Sequence, residues 1–122
     1  MNAEQMRART DKFSIDIMTF CRGLPGDPFT RSIALQLHQA GTSVSSNYHA
    51  ACRAPSRAMF ISKLSIALEE ADDCVGWLHK LSVIGIASGE SISALQQEAS
   101  ELVAILSASR KTAVTRRNRR GY

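Results

Sequence analysis

The sequence predicts an all-α protein, an antiparallel up-down-up-down four-helix bundle, on three observations. Apolar residues recur at alternating steps of three and four along four separate segments, the spacing of one helix face. Proline occurs only at 25, 28 and 55, glycine falls mostly between those segments, and no stretch keeps the alternation of a strand. The connections are a few residues long, so consecutive helices must lie antiparallel as neighbours.

In the first segment Met6, Thr10, Phe13, Ile17, Phe20 and Leu24 form the stripe, and "GLPGDP" stops the helix. Asp27 is the expected N-cap of the second, with Pro28 at the first helical position, where its missing N–H is not needed. That helix places Ile33, Leu37, Ala40, Val44, Asn47 and Ala51 on one face. It ends near "CRAP", because the residue before Pro55 is pushed out of α geometry. Ser56 is the expected cap of the third helix. Its stripe runs through Phe60, Leu64, Ala67, Leu68, Ala71, Cys74, Val75, Leu78 and Leu81. "VIGIASGE" breaks the chain, and Ser91 or Ser93 is expected to open the last helix through Ile92, Leu95, Ala99, Leu102 and Leu106.

With 122 residues the chain is long enough to bury a core without a metal or disulfide. Residues 1–109 read as the bundle and 110–122 as a basic tail, the end of the last helix or a disordered extension. Arg110, Lys111, Arg116, Arg117, Arg119 and Arg120 lie in that tail with no acidic residue, whereas residues 1–109 hold nine basic against eleven acidic side chains. The basic character of the chain is therefore local, and the bundle surface alone is not that of a nucleic-acid binder. No apolar run approaches the length of a membrane span. The polar stretch "MNAEQMRARTDK" does not resemble a secretory leader, so a cytoplasmic location is expected. Cys21, Cys52 and Cys74 are odd in number and widely spaced, which fits buried thiols in a reducing compartment.

Four features invite a functional reading. Asn47 sits where a hydrophobe is expected. A buried amide without partners costs a few kcal/mol, so it is read as a polar specifier bonded to a neighbouring helix rather than as a ligand group. Gly41 costs about 1 kcal/mol of helix propensity against Ala, and with Ala40, Ser43 and Ser45 it marks a close helix approach. Trp77 lies off the main stripe with Met59, Ile66 and Ile84 at about heptad steps, a second apolar side read as an oligomer interface. The tail cations are the candidate nucleic-acid contacts, with a solubilising end as the alternative.

Enzymatic motifs are absent: there is no G-x-S-x-G elbow, phosphate loop or HExxH. His49 and Cys52 form an isolated metal-like pair that lacks further ligands. The cluster Glu69, Glu70, Asp72 and Asp73 reads as a solvated face or an intersubunit partner for Arg53 or Arg57. No cofactor, metal or small-molecule substrate is expected.

The stretch "TSVSSNYHAACRAPSRAMFISKLSIALEEADDCVGWL" resembles the small four-helix-bundle proteins encoded by intervening sequences of bacterial 23S ribosomal RNA genes. The likeness is strongest from Gln36 to Leu78. It rests on the small-residue run into Asn47, then "ACRAPS", "FISKLSIA" and "EEADD". The resemblance implies a cytosolic homo-oligomer, typically a ring-shaped pentamer, without enzymatic activity. A distant relative of that family is a nucleic-acid-binding accessory of a retroelement reverse transcriptase. The chain departs from the family pattern in having Met59 where Glu is usual, and in lacking an acidic residue near Ala50. The resulting expectation is a non-enzymatic scaffold or adaptor, with a nucleic-acid-binding accessory protein (RNA or DNA) as the alternative.

Overall fold

The computed structural model describes residues 1–119. Four helices follow one another: α1 (Ala3–Arg22), α2 (Pro28–Cys52), α3 (Arg57–Val83) and α4 (Glu90–Arg119). Each packs on its sequence neighbours, and α4 returns to α1, so the four surround one core as an antiparallel bundle.

The termini follow local chemistry. Asn2 accepts the Gln5 N–H at 2.8 Å while the Gln5 side chain accepts the Asn2 N–H at 3.0 Å, a complete capping box on α1. Asp27 accepts the Thr30 N–H at 3.0 Å, with Pro28 opening α2. Ser56 accepts the Met59 N–H at 3.2 Å at the start of α3, so the cap survives although Met59 supplies no return hydrogen bond. Gly85 and Gly89 bracket the last connection with φ of 79° and 92°, values that side chains with a Cβ rarely adopt. α4 starts at Glu90, just ahead of the two serines expected to open it.

The core consists of the expected stripes with local shifts. Phe13, Ile17, Leu37, Val44, Leu64, Leu78, Leu81, Leu102 and Leu106 are fully enclosed. Phe60, Leu68 and Val75 are only partly buried, while Ile61, outside the expected stripe, is buried. Cys74 is buried, but Cys21 and Cys52 are half-buried, so the expectation of three buried thiols holds for one.

Asn47 also departs from expectation. It is half-buried, and its amide donates to the Ser43 carbonyl and hydroxyl, each at 2.9 Å, one turn back on the same helix. The stripe passes instead through Tyr48, whose ring is buried and whose hydroxyl is pushed up to about 12, first by desolvation and then by the Cys52 thiol. The buried polar link between helices is made by Ser14, whose hydroxyl donates to the Gly41 carbonyl at 2.6 Å.

Gly41 bears out the expected close approach. A Cβ there would lie 2.7 Å from Ile17 Cγ2 and 3.0 Å from Ile17 Cβ. Ile17 is fully buried and stiff at χ1, so it has no room to yield. Gly41→Ala is expected to destabilise the chain by ~1–2 kcal/mol, because overpacking outweighs the helix-propensity gain. Gly76→Ala, where a Cβ meets nothing within 4 Å, is expected to stabilise by ~0.5–1 kcal/mol. Urea unfolding of the two variants beside the parent checks both signs.

Candidate functional site

Functional side chains gather at three places on this frame. The first is the seam of α1 and α2. The Asp11 carboxylate accepts the Ser45 hydroxyl and stands 2.9 Å from His49 Nε2. Both partners meet the same oxygen, Oδ1. The acceptor capacity of Asp11 holds its carboxyl below the usual range, with the Ser45 hydrogen bond the largest cause and desolvation opposing it. A Ser, a His and an Asp thus come together, yet the imidazole does not stand between hydroxyl and carboxylate, as general-base activation of a serine requires. The arrangement is a polar clasp between helices. His49 Nε2 is thus engaged by Asp11, and among the described residues no three His, Cys, Asp or Glu side chains converge as a metal site would need.

Beside the clasp lies an open groove of about 840 Å³ between the outer faces of α1 and α2. Ile15, Met18 and Leu35 line it at 61%, 46% and 51% exposure, with Arg22, Arg31 and His38 around them and no acidic residue. These apolar residues lie off the core stripes, so stripe counting missed them. The signal that marks them is that all three are large hydrophobes on the polar faces of their helices.

The second place is α3. Met59 and Ile84 are exposed at 47% and 52%, while Ile66 and Trp77 are half-buried. Trp77 packs partly on the core, and the Lys80 ammonium stands 4.9 Å from its ring centroid. Trp77 shares a shallow cleft with Glu70 and Asp73 and with Gln36, Gln39 and Ser43 of α2. The Glu70 carboxyl is raised above its ordinary value by desolvation first and then by Asp73 and Glu69. Among the described residues none of these acids is in an ion pair within the chain; neither are Arg53 and Arg57.

The third place is the basic end. α4 is helical through Arg119, so Arg110, Lys111, Arg116, Arg117 and Arg119 ride on a helix of thirty residues, while Arg120 lies outside the described residues. Ala113 is buried, and Arg110 Nε donates to the Ser65 hydroxyl of α3 at 2.7 Å. Arg116 and the Arg57 side chain of α3 face one cleft beside the α2–α3 connection. Arg57 was foreseen only as a partner for acids; its meeting with Arg116 is a tertiary fact.

The scan against family models matches the one described as 23S rRNA-intervening sequence protein over residues 4–108. The chain belongs to this family. Within it, the chain is similar to a solved Bacteroides thetaiotaomicron protein described as having unknown function and as from the S23 ribosomal protein family. The two share 27% identity at a TM-score of 0.83, over 91% of this chain and 99% of that one. No curated protein matches significantly. Family membership thus brings the four-helix architecture but no assigned activity, and Arg110 to Arg119 lie beyond the matched span. No helix among the described residues is long and apolar enough to cross a membrane.

The clasp has a pH signature. A carboxyl whose folded pKa is depressed contributes stability in full above its unfolded value and loses it as pH falls through the folded one. Asp11→Ala is expected to cost ~0.5–1 kcal/mol at pH 7, the range of a half-exposed pair. The gap to the parent should close below about pH 4. Thermal unfolding of both proteins between about pH 5 and pH 3 measures it; a gap that persists undiminished at about pH 3 would contradict the assignment.

Proposed function

We propose that the protein is a non-enzymatic scaffold that works as a homo-oligomer. The observation that carries this reading is the pair of unlike apolar surfaces on either flank of α2. One is the α1–α2 groove with its Ile15, Met18 and Leu35 floor and basic rim. The other is the α3 side, where Ile66, Trp77 and Met59 accompany Glu70 and Asp73.

A second copy of the chain suits both. Joining like surfaces would set Arg22 and Arg31 against their own images, or the acids against theirs, and like charges in contact cost several kcal/mol. Joining unlike surfaces sets guanidinium against carboxylate and covers apolar area on both partners. Such a contact is heterologous, and it closes into a ring when the rotation per subunit allows. Five copies is the number implied by the family resemblance. A partner cation would also offset the desolvation, and the lesser repulsion from Asp73 and Glu69, that raise Glu70.

Light scattering on the purified chain should give a mass several times 13.3 kDa. Leu35→Glu and Trp77→Ala, on the two different surfaces, should each lower it. Arg31→Glu should lower it too, and adding Asp73→Arg to that variant should restore part of it. A parent protein that scatters as a monomer at micromolar concentration ends the reading.

A second reading is favoured by the continuity of α4. Its cations stand on one helix rather than on a loose tail, which suits an elongated polyanion such as RNA. Replacing Arg116, Arg117 and Arg119 by Gln should then flatten the salt dependence of an RNA gel shift, each lost phosphate contact removing about one unit of slope. Equal shifts for parent and variant would refute it.

A further inference from the structure

The cleft between the α2–α3 connection and the C-terminal part of α4 has a volume of about 700 Å³, within the range of small-ligand sites. Its chemistry is divided. Arg57 from α3 and Arg116 from α4 both line it, and no acidic residue does. Among the described residues neither arginine is in an ion pair or a side-chain hydrogen bond. Ser56 accepts the Met59 N–H and keeps its own proton to donate. Ser109 has no side-chain partner among the described residues and faces the same space. Thr112 turns its hydroxyl to the Ala108 carbonyl at 3.0 Å, and the rest of the lining is apolar, with Phe60 and Pro55 its largest members.

We propose that this cleft binds a nucleotide, its phosphate between Arg57 and Arg116 and its base over the Phe60–Pro55 floor. Two forked cations lining one cleft match the bidentate demand of a phosphate better than a single charge does. Inorganic phosphate would leave most of the volume and all of the apolar floor unused. The cap on α3 is already satisfied by Ser56, so the positive potential comes from the arginines rather than from the helix terminus. The ligand chemistry has two sources, a free nucleotide or the phosphorylated end of a nucleic-acid strand. The site does not depend on assembly, because both arginines belong to one chain.

Calorimetric titration of the full chain with adenosine 5′-monophosphate tests the proposal. Saturable binding of one molecule per chain is expected, with adenosine and inorganic phosphate each weaker by about tenfold or more. Arg57→Gln and Arg116→Gln should each weaken binding by about tenfold, while Lys12→Gln, on α1 and outside the cleft, should leave it unchanged. Circular dichroism melting accompanies each variant; should Arg57→Gln lower the melting temperature, Arg116→Gln, at an exposed position, carries the test. Absence of saturable binding, or an equal loss in the Lys12 variant, overturns the proposal. Competition by a 5′-phosphorylated RNA oligonucleotide but not by its 5′-hydroxyl form assigns the cleft to a strand end. Failure of both to compete assigns it to the free nucleotide.

Discussion

The close approach of α1 and α2 at Gly41 sets the geometry of everything around it. With no Cβ at that position, Ile17 seats directly against the α2 backbone, and the Ser14 hydroxyl reaches the Gly41 carbonyl at 2.6 Å. A helix pair held this tightly brings Asp11 within reach of Ser45 and His49 one and two turns further along α2. It also turns Ile15, Met18 and Leu35 outward, because the inner faces of both helices are already filled. The exposed groove is thus a consequence of the tight seam rather than a packing failure.

α1 is tied to α4 by different means. The two helices approach each other less extensively than the other neighbouring pairs do, and Arg9 grips Glu98 through two hydrogen bonds of 2.8 and 2.7 Å, with Glu101 at 3.4 Å. These acids hold the Arg9 guanidinium firmly in its charged form, well above its ordinary range. A bidentate, half-buried pair of this kind adds geometric definition where packing is thin. One helix, α1, is therefore fixed by steric fit on one side and by charge on the other.

The helices and their caps were legible in the sequence because both depend on neighbours within four residues: Asp27, Pro28 and Ser56 act where local chemistry places them. Asn47 was misplaced by a single position. The steps 44, 47, 51 and 44, 48, 51 are equally good alternations of three and four, and periodicity does not distinguish them. Burial energy does: the Tyr48 ring gains far more from enclosure than an amide, and Asn47 finds both of its partners in Ser43 without leaving its own helix. The clasp of Asp11, Ser45 and His49 joins residues more than thirty positions apart, so no spacing within either helix announces it. The same holds for Arg57 and Arg116, whose meeting depends on how far α4 runs past the start of α3.

That overrun gives the basic end its character. A run of arginines with no buried side chain among them would behave as a solvated extension. Here Ala113 is buried and Arg110 is bonded to Ser65, so the first half of the basic segment is held to the bundle and the cations keep fixed positions. The surfaces proposed for assembly flank α2 along its length, whereas the arginines cluster by the α2–α3 connection, so occupation of one region leaves the other open. In a cyclic assembly all subunits point the same way along the axis, and every copy of the basic end would collect on one rim. Several weak phosphate sites fixed on a common rim bind a long polyanion far more tightly than any one of them, because each later contact forms at a high effective concentration. Charges that would be a minor attraction in a monomer would acquire their use through the proposed assembly.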